Sequence, residues 1–143
     1  MVPPGMATML NVADPRAPGQ LLSGFYPLNA DRRWTERRFS ARLKPPRNGD
    51  RNGAVLVLFF GIPEQSIAQL HSIEVSADVD GVVLAPERYT KPGDFTYSRD
   101  VPASVLNKDA VVASFALDKA VSTGGPHPQE LGLNVSTVGF EAK

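Results

Sequence analysis

From Leu22 onward the chain runs in short apolar-polar alternations broken by turn residues, the pattern of strands with one dry and one wet face. The clearest is 38–44, where Phe39, Ala41 and Leu43 alternate with Arg38, Ser40, Arg42 and Lys44 until Pro45-Pro46 stops it. Residues 54–60 read AVLVLFF with no polar position, which predicts a strand covered on both faces and ended by Pro63. A helical turn over 66–70 leads into 71–79, where Ile73, Val75, Ala77 and Val79 share a face. Asp80-Gly81 then separates that strand from 82–84, and predicts a type I′ hairpin, because both central positions of that turn need positive φ. Strands at 94–99, 110–117 and 131–140 complete the set. In the last of these Leu131, Leu133 and Val135 have one parity and Val138 and Phe140 the other, so a bulge near Ser136-Thr137 is needed to keep one face dry.

Seven or eight short strands with hardly any helix predict an all-β domain, an antiparallel β-sandwich. The 13 prolines and 12 glycines fall mostly at the turns between them, as in the polar loop RNGDRNG at 47–53. Residues 1–21 differ in texture: Pro3, Pro4, Pro15 and Pro18 oppose both helix and ladder, which predicts a flexible Pro-rich arm. Met6, Met9 and Leu10 would anchor that arm on its own domain or on a neighbour. Residues 22–143 then form a single domain, for which 143 residues give room and no more.

Composition narrows the chemistry. With no cysteine there is no disulfide, thiolate metal site or Cys nucleophile, and with only His71 and His127 a three-His zinc site is excluded within one chain. No metal and no cofactor are expected. The balance of 15 Lys+Arg against 15 Asp+Glu argues against a nucleic-acid partner. No apolar run is long enough for a membrane-spanning helix, and the N-terminus lacks the basic start of a secretory signal, so the expected location is cytoplasmic. Charge is unevenly spread: residues 31–51 hold eight Arg/Lys and three Asp/Glu, whereas 52–143 hold six and eleven.

Four segments, SGFYPLN (23–29), RRWTERRFSARL (32–43), FALDKA (115–120) and ELGLNVSTVGFE (130–141), together resemble a family of β-sandwich, carbohydrate-binding-like modules. These occur in bacterial proteins of surface-polysaccharide assembly, often appended to glycosyltransferases or methyltransferases. The resemblance covers residues 22–142 and implies a jelly-roll-like, non-catalytic domain that contacts glycan or organises a partner glycosyltransferase.

A sugar site needs an aromatic face and a few fixed polar groups. Trp34, flanked by Arg33 and Arg37 and with Tyr26 nearby, supplies those types, although a single tryptophan at a strand start reads first as the core tryptophan of a sandwich. Asp118 and Glu130 border the loop 121–128, either as ligand groups or as a salt-bridged hairpin connection in which Glu130 meets an arginine of the basic segment. Ser76-x-Asp78-x-Asp80-Gly81 partly matches a calcium-loop spacing, but the alternation around it reads as a strand and hairpin. No Gly-x-Ser-x-Gly elbow exists, and a general base is not expected of His71, which follows a helical turn, or of His127, which lies between Gly-Pro and Pro in a loop.

These features predict no enzyme. They predict a glycan-binding or glycan-assembly accessory module with candidate ligand residues Trp34, Tyr26, Arg33, Arg37, Asp118 and Glu130. The alternative is a structural, protein-interaction subunit that forms a homo-oligomer through sheet edges and the N-terminal arm.

Overall fold

The computed structural model describes residues 7–124, 126 and 129–143. Its strands are β1 (Met9–Asn11), β2 (Leu21–Phe25), β3 (Arg33–Leu43), β4 (Ala54–Ile62), β5 (Ile73–Val79), β6 (Val82–Tyr89), β7 (Gly93–Val101), β8 (Val111–Leu117), β9 (Val121–Ser122), β10 (Glu130–Leu131) and β11 (Asn134–Ala142). Two short helices, α1 (Gly49–Asn52) and α2 (Glu64–Leu70), flank β4. Every strand pairing is antiparallel, and the hydrogen-bonded path runs β6-β5-β8-β3-β11-β4-β7.

β3 belongs to both layers. Its first residues, Arg33 and Trp34, pair with β11, while Arg38 to Leu43 pair with β8. The path therefore folds over on itself into a sandwich. One layer holds β2, the end of β3, β8, β5 and β6; the other holds β11, β4 and β7, with β1 on β11. The inner faces meet through aromatic rings. Phe115 of β8 faces Tyr97 of β7 at 6.5 Å, and Tyr89 of β6 stands edge-on to Phe60 of β4 at 5.2 Å.

The two ends of the path are joined by side chains rather than by a ladder. The Tyr97 hydroxyl donates to the Ala85 carbonyl at 2.6 Å, and Arg99 donates to the Ala85 and Pro86 carbonyls at 2.8 and 2.9 Å. The Arg99 guanidinium also lies 4.7 Å from the Tyr97 ring centroid and 3.3 Å from the Glu87 carboxylate.

The expected β-sandwich is the observed fold, with differences of extent. β3 starts at Arg33 rather than 38, and β6 continues to Tyr89. Pro86 and a register shift between Val75 and Ala77 interrupt the alternation there, which hid the second half of β6. β1, β9 and β10 have two or three residues each, too few to leave a periodic trace. The loop at 47–53 contains α1, entered through Asn48 at φ 64°.

The hairpin and the bulge are where the sequence placed them. Asp80 and Gly81 have φ of 45° and 92°, and the β11–β4 register shifts between Val135 and Thr137. The calcium-loop spacing is used by that hairpin instead: Asp78 accepts from the Gly81 amide, and Asp80 accepts from the Val112 amide and Lys108.

Where a flexible arm was expected over 1–21, residues 7–21 lie in the body of the domain. β1 pairs with β11, Leu10, Val12 and Ala17 are buried, and Pro18 sits in a 3₁₀ turn, Ala17–Gly19. Gln20 fastens this stretch. Its side-chain oxygen accepts from the Ala7 amide at 3.0 Å, and its nitrogen donates to the Ala7 and Arg42 carbonyls at 3.1 and 3.0 Å. Proline density gave no sign of this burial, which comes from three apolar side chains, too few to show a period.

Tyr89 makes the fold sensitive to alkali. Burial, with a smaller contribution from Glu87, pushes its phenol up to about 12. The phenol is neutral below its pKa, so the folded state holds a proton that the unfolded chain releases from about pH 10. The contribution to stability is therefore complete below pH 10 and is lost as pH rises towards 12, by about 1.4 kcal/mol per pH unit for one group. Urea titrations across this range are expected to show a shallower alkaline decline for Tyr89→Phe than for the parent.

Candidate functional site

Alternation sends Phe39, Ala41, Ala77, Ala113 and Phe115 into the core and turns Ser40, Ser76, Asp78 and Ser114 outward. Strand register then aligns outward residues from all five strands of one layer. Ser23 pairs with Ser40, Ser40 with Ser114, Ser114 with Asp78, and Asp78 with Val83. The neighbouring row holds Arg38, Ala116 and Ser76. Because these side chains are small, the sheet face carries a groove of about 410 Å³ with Arg38 and Ser23 towards one end and Asp78 and Val83 towards the other.

The groove offers hydroxyls, one carboxylate and one guanidinium. Ser23 and Ser40 share a hydrogen bond of 2.8 Å, and Ser76 donates to the Ala116 carbonyl at 3.2 Å. One carboxylate oxygen of Asp78 accepts from the Gly81 amide at 3.0 Å. Val83 is 80% exposed at the lip. Among the described residues no group of three His, Asp or Glu is placed to hold a metal ion.

Arg38 also lines a second hollow, of about 290 Å³, together with Glu36, Arg37 and Glu130. Two of the residues singled out in the sequence, Arg37 and Glu130, line this hollow, and a third, Tyr26, is bonded to one of them. The Tyr26 hydroxyl donates to the Glu130 carbonyl at 2.6 Å, and the Glu130 carboxylate accepts from the Arg37 amide at 3.4 Å. Burial, then the nearby Glu36 and Glu130 carboxylates, raise the Tyr26 phenol above its ordinary value. Glu130 thus meets the basic segment through a backbone N–H, where a guanidinium pair was one expectation.

The other expected residues stand elsewhere. The Arg33 guanidinium donates to the Val12 and Tyr26 carbonyls at 3.0 and 3.2 Å, tying the N-terminal stretch and the end of β2 to β3. Asp118 follows β8, where its carboxylate accepts from the Glu74 amide at 2.8 Å and holds the start of β5. Trp34 is half-buried, lies outside the core cluster and lines neither hollow. His71 ends α2 at φ 69° and is exposed. His127, with most of the loop apex around it, lies outside the described residues.

Sequence reading missed Ser40, Ser76, Asp78, Ser114 and the groove role of Arg38. Each is the wet position of an alternating strand, and only strand order shows that they are neighbours. No helix of the described chain is long and apolar enough to cross a membrane.

No protein-family model matches the chain, and no curated protein matches it. Among solved structures it is similar to the CBM36-1 domain of a multidomain xylanase from the hindgut metagenome of Trinervitermes trinervoides. The identity is 10%, the TM-score 0.49, and 95% of this chain and 98% of that one are covered. A CBM4 structure is similar at 10% identity and TM-score 0.48, over 94% and 85% of the two chains. A third, CBM51-2 in complex with GlcNAc and INT domains from Clostridium perfringens ZmpB, has 12% identity and a TM-score of 0.41, over 98% of this chain and 29% of that one. Likeness of this order identifies no ligand.

Proposed function

We propose that the protein is a non-catalytic carbohydrate-binding domain whose ligand lies across the strands in the serine-lined groove. The observation that carries this is the aligned row Ser23, Ser40, Ser114 and Asp78. Strands spaced about 4.8 Å apart make a five-strand row roughly 19 Å long, the footprint of a short oligosaccharide rather than of a single small metabolite. Serine hydroxyls both donate and accept, as sugar hydroxyls do. Arg38 adds a planar donor fork for a ring carboxylate or two adjacent hydroxyls.

The Glu36, Arg37 and Glu130 hollow continues the track past Arg38, with Tyr26 at its side. The setting implied by the four resembling segments, polysaccharide assembly beside a glycosyltransferase, is part of the same proposal.

A glycan array with Ser114→Leu and Arg38→Ala variants tests it. Both positions are outward, so the variants are expected to fold. Ser114→Leu fills the groove floor and is expected to weaken the best glycan at least tenfold, about 1.4 kcal/mol. Undiminished binding by both variants would remove the groove. A concentration-dependent dimer with no glycan affinity would instead favour the protein-interaction reading, with Val83 at the lip covered by a second copy.

A further inference from the structure

The other layer has an outer face of its own. In β4 the alternation that buries Leu56, Leu58 and Phe60 turns Phe59 outward, where it is half-buried between Thr96 of β7 and Thr137 of β11. Phe59 lines a hollow of about 300 Å³ with Arg32, Asp94, Thr96 and Ser136. Arg32 and Asp94 also line an adjoining hollow of about 220 Å³ that reaches Gly61 and Asn134.

Arg32 and Asp94 form an ion pair of 3.0 Å, in which the carboxylate side chain is 76% exposed. The pair lies down over Gly61. A Cβ there would stand 2.7 Å from the Arg32 guanidinium and 3.0 Å from the Asp94 carboxylate, so the pair can lie in this position only because an otherwise apolar strand has no side chain here. A glycine inside a strand weakens it, and a close approach of this kind is what such a glycine permits.

We propose that this face is a second, separate ligand site, for a neutral pyranose ring. Phe59 offers a surface for the apolar C–H face of the ring. Along one edge, Asp94 accepts from one ring hydroxyl while Arg32 donates to the next, with Thr96 and Asn134 as further polar groups. A neutral ring fits better than an anionic one, because the Arg32 charge is already balanced and the exposed Asp94 carboxylate repels a second anion. The site stands on different residues from the groove and on the opposite side of the core, so either can fail alone.

The test is a titration of the isotope-labelled full chain, followed by backbone amide NMR, with methyl β-glucopyranoside, methyl β-galactopyranoside and, as the anionic comparison, sodium glucuronate. At least one neutral glycoside is expected to shift the amides of Phe59, Thr96 and Asn134, whereas glucuronate is weaker; shifts at Ser40 and Ser114 report the groove separately. Phe59→Ala is expected to weaken these shifts at least tenfold in apparent affinity. Gly61→Ala, whose added methyl meets the movable ends of Arg32 and Asp94, is expected to keep the native spectrum elsewhere and to lose binding as well. Absence of shifts at Phe59, Thr96 and Asn134 with both neutral glycosides overturns the site. So does full affinity in folded Phe59→Ala and Gly61→Ala, and tighter binding of glucuronate overturns the neutral ligand class.

Discussion

Phe39→Ala is expected to lower the unfolding free energy by about 3–5 kcal/mol, measured by urea denaturation. Phe39 is 2% exposed, stacked on Phe115 at a centroid distance of 5.0 Å and an interplanar angle of 12°, with Phe25 edge-on at 5.3 Å. Truncation removes one ring from a contact shared by β2, β3 and β8, and leaves a void that a sheet tied by ladders on both sides closes poorly. Ring pairs add roughly 0.5–1.5 kcal/mol beyond the area buried. The backbones of Phe39 and Phe115 run beneath the groove while their rings pack on the inner side, so a shift of the strands in this variant is expected to weaken glycan binding even where the protein remains folded. Phe39→Leu keeps most of the volume and is expected to cost less than about 1.5 kcal/mol. A Phe39→Leu protein as stable as the parent would show that the ring contacts contribute nothing beyond volume.

Gly24→Ala is expected to cost on the order of 2–5 kcal/mol, from two additive causes. Gly24 has φ of 79°, a region that an alanine enters at a cost of about 1–2 kcal/mol. Its Cβ would also be driven into the Arg38 carbonyl oxygen and stand 2.6 Å from the Phe39 Cα. Those are backbone atoms of the strand that Gly24 lies against, so relief requires β2 to move off β3. Gly19→Ala is the control: a Cβ there meets nothing within 4 Å, and stability is expected to hold or rise slightly. A Gly24→Ala protein as stable as the Gly19→Ala protein would show that β2 is not held at that distance in solution.

Gly24 also explains one of the four segments that carry the family resemblance. SGFYPLN holds a glycine because a strand backbone is pressed against it, and ELGLNVSTVGFE holds Gly132 for a related reason. A Cβ at Gly132 would lie 2.7 Å from the Thr35 hydroxyl and 2.6 Å from a Leu117 methyl. These segments are therefore informative about packing. Of the residues they suggested for binding, Arg33 spends its guanidinium on two backbone carbonyls and Asp118 spends its carboxylate on a backbone amide. These partners lie 7, 21 and 44 residues away and are met only through the fold, which is why residue type alone could not separate a ligand donor from a tie.

By itself the sequence determined the seven longest strands in outline, the sandwich, the type I′ turn at Asp80-Gly81 and the bulge beside Ser136. All of these follow from alternation and local φ preference, which act over a few residues. Tertiary structure alone decided that residues 7–21 belong to the body of the domain, that β3 serves both layers, and that Ser23, Ser40, Ser114 and Asp78 form one row. The physical reason is that a wet strand position is chemically the same whether it faces open solvent or the floor of a groove. What distinguishes the two is which strand lies alongside, and in which register. That choice is made by the packing of Phe39, Phe115 and Tyr97 on the other side of the sheet.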